Sequence, residues 1–143
     1  NYIVVKKNRE RNVKEILKKD GVTNNVFNKE NKLITNIKKI VSSKHNIKSW
    51  SYRLVNTKSN SATLISQKPG QGNRKHYHSN WDEWWLIIKG QWLFEIEAKK
   101  FYLKKDDLIL IKRNQKHKIT AIGNTNAIRL AVSRGDVDHI YVD

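Results

Sequence analysis

At 143 residues with 38% apolar content, the chain has material for one hydrophobic core and too little for two, so a single domain is expected. It contains no cysteine, which excludes a disulfide framework and any thiolate metal site and leaves His, Asp and Glu as the available ligands. The formal net charge of +16 comes from 29 Lys and Arg against 13 Asp and Glu, but the basic residues stand in short pairs such as Lys18-Lys19 and Lys104-Lys105 and build no Arg-rich stripe, so the charge reads as solvated surface and disfavours a nucleic-acid partner.

The first part of the chain predicts helix. In "NRERNVKEILKKDG" the residues Val13, Ile16 and Leu17 fall on one face, with Gly21 as the stop. In "NKENKLITNIKKIVSSK" the residues Leu33, Ile34, Ile37, Ile40 and Val41 recur at helical spacing. Neither segment offers chemistry. "NYIVVKKNRE" lacks the apolar heart of a signal peptide and no run approaches the roughly 20 residues of a membrane span, so no membrane partner and a cytoplasmic location are expected. Met is absent even at position 1, which points to a start upstream or a chain cut from something longer.

From Trp50 the period changes to two. "WSYRLVN", "SATLISQ", "RKHYHS", "EWWLIIK", "QWLFEIE", "KKFYL", "DLILIK", "HKITAI" and "AIRLAVS" are short segments rich in β-branched and aromatic residues, separated by turn signals such as "KPGQGN" and "GNTN". About nine strands in so short a span predict an all-β barrel or sandwich. The expected division is a helical extension over 1–48 and a β-barrel over 49–143.

The chemistry gathers in "HYHSNWDEWW". His76 and His78 stand one residue apart, so on a strand both imidazoles point to the same face. Glu83 follows at the start of "EWWLII", and two histidines with one carboxylate make a facial ligand set for a divalent ion with open positions. Asp82 competes for that role, but Glu83 shares parity with Trp85 and Ile87 in the strand that follows. His117 in "NQKHKIT" opens a later strand and is the fourth candidate. Three imidazoles and one carboxylate leave a divalent centre with net positive charge, which favours anionic, oxygen-rich ligands.

These residues resemble the first motif of the cupin superfamily, which runs Gly, five residues, His-x-His, three or four residues, Glu, six residues, Gly. Gly70, "QGNRK", His76-Tyr77-His78, "SNWD", Glu83, "WWLIIK" and Gly90 meet it at every position. The second cupin motif keeps its register but only its histidine: Asp106, "DLILI", Lys112-Arg113-Asn114, "QK", His117, "KIT" and Ala121. Asn114 is able to take the left-handed conformation that the missing glycine would supply. The resemblance implies a double-stranded β-helix, or jelly-roll barrel, after a short α-helical N-terminal segment, with one divalent metal on His76, His78, Glu83 and His117. Zn, Fe, Mn, Ni and Co fit that set equally well.

The order of features, with "KPGQ" before the metal strand and "SRGDVDHIYVD" at the end, is similar to the C-terminal cupin domain of type II mannose-6-phosphate isomerases. That family runs His-His-His with a shorter gap to its Glu, so "SNWD" is the departure, and the place where a different substrate would be read. The resemblance implies sugar-phosphate or nucleotide-sugar chemistry on a small anionic substrate. Arg74 shares parity with the histidines and is the first candidate for an anion contact, followed by Arg129, Lys116 and Gln115. Trp81 and Tyr77 flank the ligands and suit stacking on a planar or sugar ring. Trp85, like Trp84 and Trp92, reads as core or as a wall of the site, while His45 and His139 read as surface or packing residues. The alternatives are an iron or manganese oxygenase, decarboxylase or lyase on the same ligands, and a non-catalytic ligand-sensing module. A homodimer is the further expectation that the resemblance carries.

Overall fold

Strands form where the alternation after residue 50 predicts them. The computed structural model describes residues 2–6, 19–27, 31–134 and 137–142. In chain order these are β1 (Tyr2–Lys6), β2 (Asn24–Phe27), α1 (Ile37–Ser43), β3 (Trp50–Asn56), β4 (Ser61–Gln67), β5 (His76–Tyr77) and β6 (Glu83–Lys89). There follow β7 (Gln91–Ile96), β8 (Lys99–Leu103), β9 (Leu108–Ile111), β10 (His117–Ile122), β11 (Ala127–Ser133) and β12 (Asp138–Val142). Two six-stranded sheets result, in the orders β1-β12-β5-β10-β7-β8 and β2-β3-β4-β11-β6-β9. The described pairings are antiparallel except β2 on β3. This is the expected double-stranded β-helix.

Alternation divides the apolar residues between two cores. Facing each other across the barrel are Trp85, Ile87 and Ile111 from one sheet and Trp92, Phe94, Ile119 and Ala121 from the other. Fully burying side chains of this size contributes about 2–3 kcal/mol each. On the outer face of the second sheet Trp50, Leu54, Leu64 and Ile128 make a second cluster, and α1 covers it with Ile37, Ile40 and Val41.

The region before residue 48 departs from its helical reading. The helix expected around Val13 lies outside the described residues. The second helix starts at Ile37, later than predicted, because the Asn36 side chain caps it by accepting the Lys39 N–H at 2.9 Å. Leu33 and Ile34 therefore stay outside the helix, 98% and 83% exposed. β1 and β2 each add a strand to a sheet edge, β1 along β12 and β2 along β3. Among the described residues no helix is long and apolar enough to cross a membrane.

Backbone geometry places the histidine strand. Gly72 passes so close to β10 that a Cβ there would lie 1.9 Å from the Ile119 carbonyl oxygen. Beside it, Asn73 donates its N–H to Ile119 O at 3.0 Å and accepts the Ile119 N–H on its side chain at 2.9 Å. Asp106 and Asn114, which stand at glycine positions of the second motif, both hold positive φ, 76° and 69°. Asn114 thus takes the left-handed conformation expected of it, and its N–H donates to His78 O at 2.6 Å.

Candidate metal centre

Four histidines and one carboxylate converge inside the barrel. His76 on β5 pairs directly with His117 on β10, and their ring centroids are 4.4 Å apart. His78 follows β5 as the chain crosses to the other sheet, its ring 4.8 Å from that of His76. Glu83 opens β6 and brings its Oε2 to 2.7 Å from His78 Nε2. All four residues are buried.

Each of the three expected histidine ligands has one ring nitrogen committed to a main-chain carbonyl. His76 Nδ1 donates to Arg74 O at 2.7 Å, His117 Nδ1 to Gln115 O at 2.8 Å, and His78 Nδ1 to Asp138 O. A carbonyl only accepts, so Nδ1 of each ring carries a proton; in the neutral rings of His76 and His117 Nε2 keeps its lone pair, while His78 Nε2 lies at hydrogen-bond distance from Glu83. His117 Nε2 is buried with no hydrogen-bond partner. Buried lone pairs without donors, aimed beside a carboxylate, are the donor set a divalent cation takes.

The ligand atoms fall into two groups that share His78. His78, Glu83 and His117 form one; His76, His78 and His139 form the other, and within each group the atoms lie within 4.8 Å of one another. His139 on β12 is buried, with its ring centroid 5.0 Å from His76 and 4.7 Å from His78. It packs, one of the two roles the sequence left open to it, but against His76 and His78.

Electrostatics keep His76 and His117 neutral and the Glu83 carboxylate charged. Burial drives His117 down from the usual 6.5 to about 4, with the neighbouring His78 charge acting in the same direction and Glu83 against it. His76 is lowered well below its ordinary value, chiefly by burial and then by His117 and His78. Burial alone would raise the Glu83 carboxyl, yet the His78 charge and hydrogen bond, His117 and the Trp85 N–H outweigh it and hold it well below the carboxylate range. Neutral imidazoles beside an ionised carboxylate are the protonation states that metal binding requires.

The remaining candidate residues are distributed unevenly. Trp85 is core, and it reaches the centre through its indole N–H, which donates to Glu83 Oε1 at 2.6 Å. Arg129 is buried with its guanidinium over the rings of Trp92 and Trp85, at 4.6 and 5.3 Å, and donates to Gln67 Oε1 at 2.7 Å. Arg74 is exposed; it precedes β5, where strand parity does not hold, and its guanidinium lies 4.7 Å over the Tyr141 ring instead of among the histidines. Gln115 turns its side chain to accept the Lys112 N–H at 3.0 Å, so it contributes to the centre through its carbonyl. Lys116 uses its N–H on Glu97 Oε1 at 3.1 Å.

"SNWD" is tied down. Ser79 donates its N–H to Asp138 Oδ1 at 2.8 Å and its hydroxyl to Oδ2. Trp81 is half-buried with Arg134 stacked on it at 4.8 Å, while exposed Asp82 accepts the Arg113 N–H at 2.8 Å. Asp82 is thereby occupied away from the histidines, and Glu83 is the carboxylate that faces them.

The sequence matches the Cupin domain family over residues 63–133, a span that contains His76, His78, Glu83 and His117. The polyketide synthase protein TcmJ, of the tetracenomycin system of Streptomyces glaucescens, is 29% identical over 63 residues, 44% of this chain and 42% of that protein. The match thus spans less than half of that relative's length. Among solved structures, a double-stranded β-helix protein from Klebsiella pneumoniae is similar with a TM-score of 0.64 at 18% identity, covering 78% of this chain and 99% of that one. A putative sugar phosphate isomerase from Acidithiobacillus ferrooxidans is similar with a TM-score of 0.51 at 18% identity, covering 53% of this chain and 50% of that one. At these identities the structural likenesses speak for the fold.

Proposed function

The chain belongs to the cupin superfamily, and from that premise we propose that it is a metal-dependent enzyme acting on a small anionic substrate, with sugar-phosphate isomerisation as the leading reaction class. The divalent ion is assigned to His76, His78, Glu83 and His117. The observation that carries this reading is the shared Nδ1-to-carbonyl bonding of the three histidines, which leaves Nε2 as the other nitrogen of each ring, with His78 and His117 grouped with Glu83 and His76 adjoining through His78.

A divalent ion held there would polarise carbonyl and hydroxyl oxygens of a bound substrate and ease proton transfer between neighbouring carbons. The chain's own contribution is orientation and desolvation. Main-chain carbonyls set the ring tautomers, Trp85 fixes one oxygen of Glu83 so that the other faces His78, and the aromatic core excludes water. Elemental analysis of protein purified without added metal tests the reading. About one equivalent of a transition metal is expected, lost together with turnover of sugar phosphates in His76→Ala and His78→Ala; a protein without metal and indifferent to both changes would refute it.

The likeness to TcmJ supports a second reading, in which the same ligands serve oxygenase, decarboxylase or lyase chemistry on a polyketide. Oxygen uptake by the metal-loaded protein separates an oxygenase from isomerisation. A homodimer belongs to the first proposal: Leu108 and Leu110 are 61% and 53% exposed on edge strand β9, paired with Leu86 and Trp84 on β6. Light scattering is expected to give twice the chain mass, and Leu110→Asp a monomer.

A further inference from the structure

The inner face of the second sheet carries charge that the histidine cluster does not use. Arg53 on β3 stands opposite Thr63 on β4, and Arg129 on β11 stands opposite Ile65 two residues further along β4, so the two arginines share the barrel-facing side. They are 3% and 1% exposed, and the Nε–H of each has no hydrogen-bond partner. Arg53 otherwise reaches Asn56 Oδ1 only at 3.4 Å, and Arg129 uses Nη1 on Gln67. Buried guanidinium N–H groups left unmet are costly and mark a place where an acceptor belongs.

Gln67 draws a third cation to the same side. Its Nε2 donates to Asp20 O at 2.9 Å and to Gly72 O at 2.8 Å, while its Oε1 takes the Arg129 bond. The Asp20 N–H also donates to Gly72 O at 3.3 Å. This fixes Lys19 at the barrel wall, half-buried as a residue with its ammonium desolvated. Burial first, and then the Arg129 charge, lower that ammonium to about 8, with Glu83 opposing. Burial likewise lowers Arg53 to about 10 and Arg129 to about 9, so all three carry charge at neutral pH. The carboxylate that opposes all three is Glu83, and Glu83 faces His78. Two buried guanidiniums and a half-buried ammonium against one committed carboxylate favour an anion.

We propose that Arg53, Arg129 and Lys19 form a receptor inside the barrel for a small oxyanion of charge about −2, a phosphate monoester or a dicarboxylate, beside the histidine cluster. The inference rests on the reading of an anionic substrate and names the group through which that substrate is held. Two guanidinium forks and one ammonium suit an anion with three or more oxygens better than a single carboxylate. With the anion on this side and the histidines on the other, a bound substrate spans the two, its charged end on the arginines.

The test uses inorganic phosphate and malonate as probes, titrated calorimetrically into the intact protein at pH 7, before and after chelation of metal. Expected is one equivalent of at least one probe, bound equally after chelation, and weakened roughly tenfold or more by Arg53→Gln and by Lys19→Gln, as loss of one charge-assisted contact implies. The exposed control Lys99→Gln is expected to leave affinity unchanged, and each variant to keep its metal content. Preference between phosphate and malonate identifies which dianion the receptor takes. Arg129→Gln is a third variant; should it fail to fold, the other two decide. Absence of binding by both probes, binding that disappears with the metal, or equal weakening by Lys99→Gln would overturn the receptor. None of these outcomes bears on whether the histidines hold metal, which elemental analysis of the same samples reads separately.

Discussion

The carbonyl of Asp138 accepts the Nδ1–H of His78 across 60 residues of sequence. The same residue's carboxylate holds Ser79 by its N–H and hydroxyl. Asp138 thus fixes both the His78 ring and the turn that carries the chain on to Glu83. Asp138→Ala keeps the carbonyl but frees the turn, so the ring loses its fixed direction. Outer partners of this kind are worth roughly 10–100-fold in metal affinity. Competition with a chelator of known affinity is expected to show a loss in that range, with the fold intact by circular dichroism; unchanged affinity would mean that the carbonyl alone suffices.

Trp85 contributes one hydrogen bond and a large share of the core. Trp85→Phe retains much of the packing and deletes the bond to Glu83 Oε1. Stability measured by urea unfolding is expected to fall by roughly 1–3 kcal/mol, from the lost bond to a charged acceptor and the smaller ring. Metal affinity is expected to fall as well, because the carboxylate is then free to rotate away from His78. A stability loss without an affinity loss would confine Trp85 to packing.

Acid is expected to destabilise the metal-free protein. His117 titrates near 4 when folded against 6.5 ordinarily, and His76 is lowered too. Between those values the unfolded chain binds protons that the folded chain refuses, so stability rises with pH through this window and falls on acidification. Glu83, depressed when folded, adds a loss in the same direction as pH falls below the ordinary carboxylate range. Each affected histidine contributes up to about 1.4 kcal/mol per pH unit. Thermal unfolding of chelated protein at pH 7 and pH 5 is the measurement; an equal Tm at both would contradict neutral burial of these rings.

Much of the barrel is readable from alternation, because a strand with one buried face shows its period wherever it stands. β3, β4, β6 and β11 begin and end where "WSYRLVN", "SATLISQ", "EWWLIIK" and "AIRLAVS" do. The convergence of His76, His78 and Glu83 is readable because they lie within one short segment. What escaped depends on distant partners. β1 and β12 pair with each other, and neither segment announces the other. His139 lies far from His78 in sequence, so nothing local marked it. Arg53 was hidden because a charge within an alternating strand suggests the solvent face, whereas here it shares the inward side with Ser51. Arg74 departs from the inward side for the opposite reason, since parity with the histidines does not extend past the end of a two-residue strand.

His78 belongs to both ligand groups, which makes its removal the most damaging single change. His117 and His139 then discriminate between the groups. The group with His117 contains Glu83, whose negative charge offsets that of a cation in a low-dielectric interior, whereas the group with His139 offers only neutral donors. The carboxylate group is therefore expected to bind more tightly. Titration of Co2+ into chelated protein, followed by its visible absorption, is expected to show no saturable site in His78→Ala and at least tenfold weaker binding in His117→Ala, with a smaller change in His139→Ala. Equal losses in the last two would place His139 among the ligands on the same footing as His117. A larger loss in His139→Ala would move the centre toward β12 and reduce Glu83 to a hydrogen-bond partner of His78.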